Sequence, residues 1–202
     1  MEIIIKTVAG GADESAMRSI RHEVFEREMG IRLDHAAAPD DGSMAHLLAR
    51  AYPGREAVGT LSVVDTSGDE RLHAGHNLCF EPGARAARFM HLAVVKAFRG
   101  RNIPAMMMLE AHRRFVAPRR YDYTWLLFNA ERAPTSFLAR LLGFSPKADI
   151  FTSEYGRRCP LVRDERAAEA AEAIRRAEQL LRQSGALYAL APPNGAGHAL
   201  SA

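Results

Sequence analysis

The sequence predicts a mixed α/β (α+β) domain organised on one central sheet. Three observations predict it. Strand-like and helix-like patterns alternate through residues 2–162. Two β-rich runs flank Pro53-Gly54-Arg55-Glu56, a hairpin signature. The run Tyr123–Phe128 is almost wholly apolar, as an inner strand covered on both faces should be.

Residues 2–8, rich in isoleucine and valine, read as a first strand. From Ser15 to Met29 the apolar positions Met17, Ile20, Val24 and Phe25 recur at helical spacing, with Asp13 or Ser15 as cap and Gly30 at the exit. Residues 31–44 have loop chemistry. His46–Tyr52 and Ala57–Val64 form the hairpin, and 65–86 is a long irregular connection. Phe89–Val95 is a strand, Arg99–Asn102 a turn, and a helix opens near Pro104 and runs to about Phe115. After Tyr123–Phe128 come a short helix, Thr135–Leu142, stopped by Gly143, and late strands at 149–155 and 159–162. Arg163–Gly185 reads as a long exposed helix, lying on a neighbouring subunit or back on its own core. The expected partition is a domain at 1–162, a helical extension at 163–189 and a flexible tail at 190–202.

The 202 residues, 48% hydrophobic and 25% charged, suffice for one core and exclude a disordered or fibrous chain. Two cysteines are too few for a disulfide framework, Glu2 stands where a signal peptide carries base, and no run reaches the roughly 18 apolar residues of a membrane span. A cytoplasmic protein without a membrane span is expected. The net charge of +3 is too small to imply nucleic acid, and surface aromatics do not interleave the basic clusters. With Lys6, Lys96 and Lys147 the sole lysines, nearly all positive charge is guanidinium, suited to phosphate and carboxylate.

The segment from Leu92 to Pro104 ends a strand in a basic turn and opens a helix. Unpaired N–H groups at a helix start, with Arg99 and Arg101 beside them, make an anion site suited to phosphate. Here the sequence resembles the GCN5-related N-acetyltransferases, the superfamily of CoA- or carrier-thioester-dependent N-acyltransferases. Leu92 and Val94 match its Leu-x-Val strand ending, Arg99 and Ile103 its turn and helix start, and Leu142-Gly143-Phe144, after Phe137, its Leu-Gly-Phe ending. The resemblance implies a single central mixed sheet flanked by helices, with the C-terminal helix added to it. It also implies a donor site at Leu92, Val94, Arg99, Gly100, Arg101, Asn102 and Ile103. The loop glycines of the family are Asn102 and Pro104 here. Either the two arginines replace backbone donors for a CoA pyrophosphate, or the donor presents the single phosphate of a pantetheine arm on acyl carrier protein. The second is favoured, since Arg113, Arg114, Arg119 and Arg120 would receive an acidic carrier.

The first helix is similar to that of acyl-homoserine-lactone synthases and long-chain N-acyl amino acid synthases, with Arg21 and Phe25 in their Arg-x-x-x-Phe. Their tryptophan is Ile31 here, and their strand Glu-x-x-Arg is Arg88 and His91, which argues against lactone synthesis and leaves an N-acyl amino acid or related amide. Acyl transfer needs a base, a polarised carbonyl and a proton for the thiolate. His91, Glu23 and Asn129 are the candidate catalytic groups; Arg21, Phe25 and Met107 are candidates for the acceptor and acyl chain. The tyrosine that the family often places before its Leu-Gly-Phe ending is Ala139. His73 and His76 lack further ligands, so no metal is expected. The expected activity is N-acyl transfer from acyl-CoA or acyl-pantetheine to a small-molecule amine; the rival is a non-catalytic acyl- or CoA-binding regulatory module.

Overall fold

A computed structural model of the chain describes residues 2–33, 44–131, 138–153, 156–184 and 188–190. Strands β1 (Glu2–Thr7), β2 (Met44–Tyr52), β3 (Glu56–Asp65), β4 (Ala86–Val94), β5 (Tyr123–Asn129), β6 (Ser145–Pro146), β7 (Phe151–Ser153), β8 (Gly156–Asp164) and β9 (Tyr188–Leu190) form one sheet. Its order is β6-β8-β5-β4-β3-β2-β1-β9, with β7 also paired to β8. The β4–β5 and β1–β9 pairings are parallel and the others antiparallel, so the sheet is mixed as expected.

Helix α1 spans Gly11–Arg21 and continues in wider π turns over His22–Glu28. It starts four residues before Ser15, and neither Asp13 nor Ser15 caps it: Asp13 lies in the first turn and binds Lys6 (2.6 Å) and Arg50 (2.9 Å), tying α1 to β1 and β2. Gly30, at φ +68°, takes the left-handed exit its type permits. The connection after β3 is not wholly irregular. Asp69 accepts the Leu72 N–H (2.9 Å) and caps α2 (Glu70–Ala74). Helix α3 (Ile103–Ala111) runs through π turns to a last turn at Ala117–Arg119, four residues past Phe115. Residues 138–141 are helical; 132–137, with Phe137 and the expected helix start, lie outside the described residues, as do 34–43 of the expected loop.

The C-terminal expectation needs correcting. Arg163 and Asp164 belong to β8, and α4 spans Ala168–Gln183. Its Ala173, Ile174, Ala177 and Leu181 are buried, so it is amphipathic and packs on this chain's core. Leu190, expected in a tail, pairs with Ile5 in the sheet; 191–202 lie outside the described residues.

Side-chain alternation sorts the helices onto two faces. Gly59 and Leu61 point toward α3: a Cβ on Gly59 would stand 3.1 Å from Met107 Sδ, so α3 packs closely against the bare backbone there. Thr60 and Ser62 point the other way and meet Arg21 of α1. Register extends that second face across the sheet: His46 opposes Ser62, Val64 opposes Arg88, Arg88 opposes Trp125, and Asn129 opposes Arg158. The α1 face therefore gathers His46, Thr60, Ser62, Arg88, Asn129 and Arg158.

Candidate active site

Two irregularities of β4 open the site. Its pairing with β5 runs from Ala86↔Tyr123 to Phe89↔Leu126 and stops, although β4 continues to Val94 and β5 to Asn129. The two strands part there. On its other edge β4 bulges: Thr60 opposes Ala93 and Ser62 opposes Met90, leaving His91 and Leu92 opposite Leu61 alone. His91 takes φ +54°, a left-handed conformation that costs a non-glycine residue about 1–3 kcal/mol.

The turn below the opening has the expected shape. Gly100 (φ +78°) and Asn102 (φ +59°) are left-handed, and Pro104 lies in the first turn of α3. The Arg99 guanidinium donates to the Val94 carbonyl (3.0 Å) and pairs with Glu28 (2.6 Å), joining the strand end to the tail of α1. Arg101 stacks over the Phe98 ring, 5.3 Å from its centroid. Leu92, Val94, Arg99 and Pro104 line the cavity. Gly100, Arg101 and Asn102 form the exposed bend outside its wall, and the Ile103 side chain is fully buried in the core.

The cavity, about 820 Å³, lies mainly on the α1 face. Phe25, Val24, Met108, Leu126 and Leu138 give it apolar walls. Met107 does not contribute: it packs under Gly59 at 0% exposure, and Met108 takes the lining position. Arg21, only 5% exposed, lines it and donates to Ser62 Oγ (2.5 Å) and Thr60 Oγ1 (3.3 Å); its Nη2 also lies 3.4 Å from His46 Nδ1. Its Nε is buried without a hydrogen-bond partner among the described residues. Burial, reinforced by Arg18, pulls the Arg21 pKa down to about 10. Burial and the Arg21 charge hold His46 near 4, so its imidazole is neutral at pH 7.

Among the expected catalytic groups, His91 and Asn129 line the cavity and Glu23 does not: it is exposed on the solvent side of the π turns. The His91 ring meets Phe25 edge-on at 6.2 Å. Asn129 Oδ1 accepts the Glu131 N–H (3.0 Å). His73 is buried against Phe80 and Trp125 near Thr66, while His76 lines the cavity beside Trp125 and Phe151. Sequence reading missed His46, Ser62 and Arg88 as site residues. The available signal was a polar residue at alternate positions of strands otherwise apolar. Of the basic residues offered to a carrier, Arg113 pairs with Glu178 (2.7 Å) and Arg114 with Glu110, while Arg119 and Arg120 are exposed where the α3 segment ends. No group of three or more His, Cys, Asp or Glu suited to a metal converges among the described residues, and no helix among them is long and apolar enough to cross a membrane.

No family model and no curated protein matches the sequence. Solved structures do match the fold. FeeM, an N-acyl amino acid synthase from uncultured soil microbes, has a TM-score of 0.65 at 15% identity, over 85% of this chain and 93% of its own. Arabidopsis thaliana NAA60 in complex with acetyl-CoA has a TM-score of 0.62 at 13% identity, over 82% and 99%. An acyl-CoA N-acyltransferase from Pseudomonas aeruginosa has 0.58 at 16%, over 80% and 99%. The chain has the fold of the GCN5-related N-acetyltransferases.

Proposed function

We propose that this chain, on the fold of the GCN5-related N-acetyltransferases, is a cytoplasmic N-acyltransferase that moves an acyl group from a pantetheine thioester to the amine of a small acceptor such as an amino acid. The observation that carries the reading is the parting of β4 from β5 beside a cavity, directly above a basic turn at a helix start. A strand edge with no neighbour offers backbone N–H and C=O groups to an extended ligand. The pantetheine arm takes that edge at Met90–Val94, and its phosphate meets the Arg99–Pro104 turn.

The acceptor enters from the α1 side, where Arg21 receives its carboxylate. The amine nitrogen attacks the thioester carbon, backbone N–H groups near Val94 stabilise the developing oxyanion, the C–S bond breaks, and the thiolate leaves. His91, on the bulge, takes the proton the amine sheds; water protonates the thiolate, since Ala139 is a buried methyl with no proton to give. FeeM, described as an N-acyl amino acid synthase, supports this acceptor class, and NAA60 with acetyl-CoA supports a CoA thioester as donor. Acyl carrier protein is the other donor, docking by the exposed turn rather than by Arg113 and Arg114.

The test mixes the protein with acetyl-CoA, long-chain acyl-CoA or acyl carrier protein and an amine panel while free thiol is followed. Thiol release that requires both substrates is expected. The double change Arg99→Ala and Arg101→Ala should weaken donor binding roughly tenfold; unchanged affinity would remove the phosphate site. Donor binding with no thiol release across the panel would make the chain a non-catalytic acyl- or CoA-binding module, the reading the missing phenol favours.

A further inference from the structure

We infer that the acceptor carries a second oxyanion, a carboxylate or a phosphate, which is seated on Arg88 while Arg21 holds the first. This rests on the acyl-transfer reading and narrows its substrate class to acidic amino acids.

The cavity wall is lopsided in charge. Among the described residues that line it, five are arginines (Arg18, Arg21, Arg88, Arg99 and Arg158) and one is a carboxylate, Glu14. Glu14 is occupied by Arg18, and Arg99 by Glu28. Neither Arg21 nor Arg88 has a carboxylate partner among the described residues. A buried guanidinium without a counter-charge is costly, and a bound anion removes that cost.

Arg88 is held as a fixed donor. Its guanidinium lies over the Trp125 ring at 4.7 Å, and the fully buried Trp125 is anchored by its indole N–H to Thr66 Oγ1 (3.1 Å). The Arg88 Nε is buried without a hydrogen-bond partner among the described residues. His76 and Arg158 stand beside it at the same cavity, and each feels or adds to its positive charge. Such a patch attracts a molecule of net negative charge, which an ordinary zwitterionic amino acid is not.

Arg21 is anchored on Ser62, and Arg88 opposes Val64, two residues further along β3 on the same face, with its guanidinium over Trp125 of β5. The two cations stand apart on one face, as the two anionic ends of a single acceptor require. His46, neutral beside Arg21, adds no repulsion of its own to the bound amine.

The experiment compares L-glutamate, L-aspartate and O-phospho-L-serine with the neutral L-glutamine and L-asparagine as acceptors for the full-length protein. Glutamate should exceed glutamine in kcat/KM by roughly ten- to hundredfold, as charge-assisted hydrogen bonds imply. Phosphoserine against glutamate identifies which oxyanion is preferred. Arg88→Met should bring the glutamate-to-glutamine ratio of kcat/KM close to one, and Arg88→Lys should keep part of the preference. Equal use of glutamate and glutamine by the unaltered protein, or an undiminished preference in folded Arg88→Met, overturns the inference. Should no acceptor release thiol, the transfer reading fails, and calorimetric binding of glutamate against glutamine then decides the Arg88 subsite alone: tighter glutamate binding, lost in Arg88→Met, supports it, and equal binding overturns it.

Discussion

Two buried arginines on opposite faces of the sheet show how one residue type serves two ends. Arg163, 2% exposed on the α3 face, donates to Glu165 (2.8 Å) and to the Leu142 carbonyl (2.9 Å). Glu165 also accepts from Thr124 and lies 3.4 Å from His112. Burial alone would raise the Glu165 carboxyl pKa; the His112 hydrogen bond and the Arg163 charge more than reverse it and hold the group below its ordinary range. That network carries its own counter-charge. Arg21, equally buried, meets neutral hydroxyls and an imidazole instead, beside open space. Burial therefore does not separate a structural guanidinium from the one proposed to bind the acceptor; the presence of an internal counter-charge does.

Deleting each arginine in turn should separate the two roles most clearly. Arg163→Met strands a buried carboxylate and should cost about 3–5 kcal/mol in denaturant unfolding. Arg21→Met removes a cation that has no carboxylate partner among the described residues, so stability should move by no more than about 1 kcal/mol while kcat/KM for an amino-acid acceptor falls roughly ten- to hundredfold. Equal destabilisation by both would erase the distinction.

Acid should act on the Arg21 side of the sheet through His46. The folded-state pKa of His46 lies near 4 against an ordinary 6.5, so the unfolded chain binds the extra proton first. The neutral histidine's full contribution is present above about pH 6.5 and is lost as pH falls toward 4, by up to roughly 3 kcal/mol. His46→Gln should flatten that part of the stability profile, measured by unfolding at successive pH values. The smallest effect belongs to the turn: Glu28→Ala breaks a half-exposed pair with Arg99, should shift stability by less than about 0.5 kcal/mol, and should tighten donor binding by freeing the guanidinium.

Much of the scaffold was legible because it is written in short-range pattern. The apolar run Tyr123–Phe128 does lie between two strands, and the Pro53–Arg55 turn does join β2 to β3. The basic bend also formed where Asn102 permits a left-handed residue. The site was legible in part. Leu92, Val94 and Arg99 came from a local motif and line the cavity; Arg21, Phe25, His91 and Asn129 do too. Glu23 and Met107 were misplaced because helical spacing gives a face only to within a residue, and π turns rotate the side chains carried on them. Arg113 and Arg114 look like a free patch in one dimension, yet Glu178, which neutralises Arg113, lies 65 residues away.

By itself the sequence determined the element types, the inner strand and the bend at the head of α3, since backbone propensity and apolar period act over a few residues. The tertiary structure alone decided that β4 bulges at His91 and leaves β5 at Phe89. It alone placed Arg88, Arg21 and His46 on one face around a common space. Register and bulges are properties of paired strands, and a counter-charge is found or missed only once distant segments meet.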